Sequence, residues 1–336
     1  MSPKVVVTTN LTPNLLMHVF SCFEVEGSFY DSDYGLKHHF TLLDEDYEIW
    51  EEKAKKCMTL GCNAELYAIL FQIPSYIPAD DIEMVLDCFD KIADAVDEGS
   101  IKVLIESYPD LFDNLSIYAP TEVYDNHFKR LNEHKGIILE IISIFKEILQ
   151  GLWERFYAEF WEKELQGKLL KQAENLSKMI NPINIISAWQ RILKIDFPYN
   201  EFIVILVQAT NTIVTNLLAE QIVISSKNEE MDSYKIIVHE VGRSFLLNMN
   251  LFEHEKLKAV AQYNIDKLTQ IVDAVIIYLK RKMINTLKIK PEEHDTFAWP
   301  GYEEITKVFE HVWDSMQDKN IYEAIEQTYT KLSLVA

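Results

Sequence analysis

A nearly unbroken apolar run, Ile236 to Leu247, carries three ionisable side chains at its centre: His239, Glu240 and Arg243. A run of this kind belongs inside a protein, and an uncompensated charge buried there costs on the order of several kcal/mol. Helical spacing supplies the compensation. Residues three and four apart are neighbours on a helix surface, so Arg243 shares a face with His239 and can pair with Glu240. Gly242, inside the same run, leaves room for close packing. Asp232 and Ser233 are the expected N-caps of this helix, and Asn248 to Asn250 its end.

The remainder of the chain leans towards helix. It has 336 residues, 48% of them hydrophobic, with only 9 Gly and 10 Pro. That is a globular composition, long enough for one large or two medium domains. Asp and Glu number 53 against 32 Lys and Arg, for a net charge of −21. Such a surface repels phosphate backbones and anionic bilayers, so neither nucleic acid nor a membrane is an expected partner. No apolar stretch is long enough to span a bilayer. The opening residues Met1 to Asn10 lack the apolar run of a secretory signal, so the expected compartment is the cytoplasm. Cys22, Cys57, Cys62 and Cys88 form no CxxC pair and read as buried, reduced side chains.

Lys4 to Thr9 is β-branched and reads as a strand, followed by a helix that starts at Thr12-Pro13. Helices are expected over Asp44 to Leu60, over Ala64 to Ile73 with breaks at Pro74 and Pro78, and from Asp80-Asp81 to Val96 with a stop at Gly99. The His38-His39 pair suggests a metal site only superficially, since adjacent side chains diverge on any regular element. Thr121 to Ile180 is the longest helical stretch, and Gly136, Gly151 and Gly167 mark its expected breaks. Its aromatic stripe, from Trp153 to Trp161, reads as core packing. The period then changes. Phe202 to Val207 and Leu217 to Ser225 read as two strands, and helices return over Glu253 to Asn285, Gly301 to Gln317 and Ile321 to Leu334. The expected fold is therefore α+β, mostly helical, with a small mixed sheet. The expected division is a mainly helical region over 1–118 and an α+β region over 119–336.

The motif His239-Glu240-Val241-Gly242-Arg243, followed after eighteen intervening residues by Gln262-Tyr263-Asn264-Ile265-Asp266, resembles the HExxH…ExxxD pattern of the gluzincins. These are the zincin metallopeptidases that include thermolysin and many aminopeptidases. The resemblance places His239 at the first zinc ligand, Glu240 at the general base and Asp266 at the carboxylate that orients the first histidine. It places Arg243 at the second ligand and Gln262 at the third. Those two depart from the family. A guanidinium has no lone pair to give a metal, and a neutral amide is a weak zinc donor.

The resemblance then implies a zincin-like fold with a degenerate site. Arg243 fills the place and charge of the metal, pairing with Glu240 or, across helices, with Asp266, and Glu240 is a vestigial base. The expected cofactor is none, and the expected role is non-catalytic, either structural or the binding of a peptide or protein in the cleft. Asp266 is expected to hydrogen-bond His239 and hold it protonated. Two alternatives stand beside this reading. One is a zinc-dependent hydrolase that keeps His239 as a ligand and completes the site with atypical donors. The other is a chance motif in an unrelated α+β protein.

Overall fold

Helical periodicity dominates the chain, and the structure follows it. The computed structural model describes residues 3–25, 30–58, 60–211, 214–218, 220–255, 257–258, 260, 264–287, 297–317 and 320–333, with the side chains of 54–58 and 110–111 outside that description. The fold is mostly helical, with one four-stranded mixed sheet. It divides into two compact units, neither of them a continuous half of the chain. One comprises Met1–Val5, Lys178–Phe202 and Glu230–Ala336, the other Val6–Ser177 and Ile203–Glu229. The expected boundary near 118 is not where the fold divides. The reason lies in the sheet, which draws its strands from residues 4–8 and from 201–225.

Those strands are β1 (Lys4–Thr8), β2 (Glu201–Val207), β3 (Val214–Leu218) and β4 (Gln221–Ser225), in the order β1-β2-β4-β3. β2 runs parallel to β4, with Val204 opposite Ile222 and Leu206 opposite Ile224. β3 runs antiparallel to β4. Every residue of β4 is buried, as a central strand requires. The expected single strand from Leu217 to Ser225 is thus the end of β3 and the whole of β4, folded over at Glu220. The Glu220 carboxylate is buried there. Tyr76 Oη donates to both its oxygens at 3.1 Å, and Asn114 Nδ2 donates to one at 2.8 Å. Burial pushes its pKa up, because no cation offsets the desolvation.

A helix buried along its whole length, Leu11–Cys22, follows β1. Asn14 ties it to the sheet: its Nδ2 donates to Leu206 O at 3.0 Å, and its Oδ1 accepts from Gln208 N at 3.2 Å. The helix Ile82–Glu98 is bounded as expected. Asp81 accepts from Met84 N at 2.8 Å, and Gly99 adopts a left-handed φ of 67°.

Two helical stretches run past their expected stops. The segment from Asn63 to Tyr76 continues through Pro74 by way of a π-turn at Ala68–Gln72. Pro74 then sits in the first turn of the next α-segment, where a missing N–H is tolerated. The long stretch breaks once, between Thr121–Asn132 and Lys135, and then stays helical to Ile180. Gly151 and Gly167 lie inside that run. Two π-turns, Trp153–Tyr157 and Trp161–Leu165, readjust its register instead.

The other unit is built around the helix Ile265–Lys282, here the central helix. It packs against the motif helix Glu230–Leu246 and against the helices Tyr302–Ser315 and Ile321–Ser333. From Leu268 to Lys280 it is almost entirely buried, as expected for a helix apolar on nearly all sides. The helix Ile185–Leu193 supplies Trp189, which is fully buried and donates from Nε1 to Val238 O at 2.9 Å. Gly242 permits this approach, since a Cβ there would lie 2.7 Å from the indole ring. Gly242→Ala is therefore expected to destabilise the protein by about 2–3 kcal/mol through overpacking, measured as a shift of the urea midpoint. An unchanged midpoint would show that the indole can move aside.

Candidate functional site

The motif helix turns its charged face towards the central helix. His239 and Glu240 are both 1% exposed, whereas Arg243 and Asp273 keep about a quarter of their side chains in contact with solvent. Arg243 Nη1 donates to Glu240 at 3.2 Å and 3.4 Å, spanning both carboxylate oxygens. Its Nε lies 2.8 Å from Asp273 Oδ1. That N–H is not aimed along the vector, so the second contact is an ion pair more than a directional hydrogen bond. One guanidinium thus bridges two carboxylates from neighbouring helices.

Charge and burial oppose each other at this triad. Burial raises the pKa of Glu240, Arg243 lowers it, and Asp273 raises it again, with burial prevailing. Asp273 is also raised, by burial first, with Arg243 opposing. His239 moves the other way. Burial holds it well below the usual imidazole range, and the cations of Lys280 and Arg243 push it lower still. These effects favour the neutral ring, and its Nδ1 is buried with no hydrogen-bond partner among the described residues. The Phe297 ring lies parallel to the imidazole, with centroids 3.7 Å apart and planes 4° apart. Lys280 Nζ stands 5.5 Å from the centre of that same ring.

His239, Glu240 and Arg243 therefore come together as their spacing implies. Asp266 does not join them. It is exposed in the first turn of the central helix, which begins at Ile265 with Asn264 as its cap. The expectation that Asp266 hydrogen-bonds His239 and holds it protonated, or pairs with Arg243, is corrected: Asp266 is exposed, no hydrogen bond joins it to the imidazole among the described residues, burial favours the neutral ring, and Arg243 pairs with Asp273. The carboxylate that reaches the motif is Asp273, two turns further along, where the central helix is buried. Gln262 lies outside the described residues. Asp273, Lys280 and Phe297 were not singled out from sequence. Asp273 did carry the same signal as the motif, a lone charge in an apolar run.

These donors do not fit a zinc ion. His239 offers one imidazole, Arg243 holds a fixed positive charge four residues on, and Glu240 is already paired with it. Among the described residues, no three His, Cys, Asp or Glu side chains are grouped to hold a metal. The His38-His39 pair is likewise no such site, since His38 is buried against Tyr34 while His39 is exposed and stacked on Tyr47. No family model matches the chain, and neither a curated protein nor a solved structure does.

Arg243→Ala would leave the Glu240 carboxylate buried without its counter-charge. The expected loss is about 3 kcal/mol, at the low end for a broken buried pair because the guanidinium is partly solvated. The pH dependence has a definite sign. A carboxylate whose folded-state pKa is raised stabilises the fold when protonated, and that contribution disappears as pH rises through the raised value. Without Arg243, Glu240 is raised further. The penalty should be small near about pH 5 and largest near about pH 8, read as urea unfolding free energies at both. A penalty that is equal at the two values would show that Glu240 is not stranded.

Proposed function

We propose that the chain is a non-catalytic, zincin-like protein in which an arginine-centred ion triad takes the place of a metal, and that it acts by binding a peptide or a protein segment. The supporting observation is the Arg243 bridge between Glu240 and Asp273. A zinc-activated water requires an open coordination position and a free carboxylate beside it. In this site the carboxylate is bonded to a guanidinium, and the positive charge is already supplied. Glu240 acts here as a structural partner of Arg243, not as a base.

The binding half of the reading draws on a groove in the same unit. Trp299, Pro300, Tyr302, Glu303, Lys307 and Val308 line a space of about 540 Å³. Phe297, which stacks on His239, lies two residues before its first wall. An aromatic and proline floor with charged edges suits an extended peptide segment.

Metal analysis of the purified protein, together with a peptidase assay, tests the reading. Zinc well below one equivalent and no chelator-sensitive peptide hydrolysis are expected. Near-stoichiometric zinc whose removal abolishes hydrolysis would overturn the proposal in favour of a hydrolase with atypical ligands. Restoring donors provides a second test, because zinc needs at least three. Arg243→His with Gln262→Glu should bind zinc about tenfold or more tightly than either single change.

A further inference from the structure

The unit that carries the sheet exposes an aromatic surface that none of the foregoing uses. Leu36 is 70% exposed and Phe40 73% exposed, the two most exposed large hydrophobic side chains among the described residues. They lie one helical turn apart. Leu43 and Ile49 follow nearby in the chain, at 44% and 43%. A single exposed leucine needs no explanation, but several large apolar side chains exposed within one short segment do.

The long helix extends the patch. Phe40 meets Phe156 edge-on at 5.9 Å, and Phe156 stacks on Phe160 at 5.1 Å. Arg155 pairs with Asp46 at 3.0 Å, fastening the segment after Phe40 to the helix. Both π-turns of that helix fall here, at Trp153–Tyr157 and Trp161–Leu165. Distortions of this kind are concentrated at functional positions.

The rim is acidic. Asp44, Glu45 and Glu48 are exposed within eight residues of Phe40 in the chain, and Glu154, Glu162 and Glu164 are exposed within eight residues of Phe156. Two neighbouring cations are already engaged, Arg155 with Asp46 and Lys163 with Glu159 at 2.6 Å. Lys37 is the exposed cation beside Leu36. We infer that the Leu36–Phe40–Phe156 surface docks a cationic amphipathic segment of a partner protein, whose apolar side chains cover the rings while its Lys and Arg meet the acidic rim. The choice of occupant rests on charge complementarity. An anionic membrane would be repelled by the same rim.

The test is a fluorescence-anisotropy titration of the full chain with a labelled Leu/Lys amphipathic helical peptide, alongside the same peptide carrying Glu in place of Lys. The Lys peptide should bind saturably and more weakly as salt rises, and the Glu peptide should not bind. Phe40→Ser and Leu36→Ser should each weaken binding about tenfold. Met84→Ser, at another exposed apolar position, should leave it unchanged. Neither patch residue is buried, so melting temperatures should hold. Any of four results overturns the inference: no binding, equal binding of the Glu peptide, binding indifferent to Phe40, or sedimentation as a dimer that Phe40→Ser dissociates.

Discussion

Arg243 is the point on which the core of its unit depends. Two helices that are apolar on nearly all sides meet across Glu240 and Asp273, and neither carboxylate could be buried beside the other without a cation between them. A guanidinium suits this position better than an ammonium would. It is planar, permanently charged and weakly hydrated, and its separate nitrogens can face two partners at once. Its charge also sets the state of its neighbour, since it joins burial and Lys280 in keeping His239 neutral. A neutral ring can lie flat on Phe297, whereas a protonated one would lose far more hydration by doing so.

The same constraint recurs at other buried acids of this strongly acidic chain. Glu65 is buried and pairs with Arg130, and Asp31 is buried and pairs with Lys227. Glu220 is the exception in kind. It has hydroxyl and amide donors in place of a cation, and its pKa is raised accordingly. With 53 acidic residues and 32 basic ones, the exterior is left acidic while several cations serve interior carboxylates. The acidic rim around Phe40 follows from the same imbalance.

Much of this architecture was legible in the sequence, because periodicity and capping are local. The helix Ile82–Glu98 between Asp81 and Gly99, the strand at Phe202 and the buried motif helix all follow from neighbours in the chain. What failed depended on distant partners or on where a local cap or helix irregularity falls. The turn at Glu220 could not be recognised without Tyr76 and Asn114, which satisfy its carboxylate. The choice of Asp273 over Asp266 depended on where the central helix begins, and that start is set by Asn264, whose Oδ1 accepts from Lys267 N. The π-turns replaced breaks at Gly151 and Gly167 because an aromatic run can be realigned without interrupting the helix. Counting seven residues on from Asp266, to the carboxylate inside the apolar run Ile271 to Leu279, would have found the right acid.

The sheet has a consequence for how this chain is made. β1 comes from residues 4–8, yet its neighbour in the sheet is β2, from Glu201–Val207. During synthesis the first strand leaves the ribosome long before its partner exists. For most of that time its backbone donors and acceptors, and the buried helix behind it, have no sheet to join. Closing so long a loop is slow, and an unpaired apolar strand is a site for wrong associations while it waits. Residues 4–22 therefore stay without their sheet partner until Glu201–Val207 has been made.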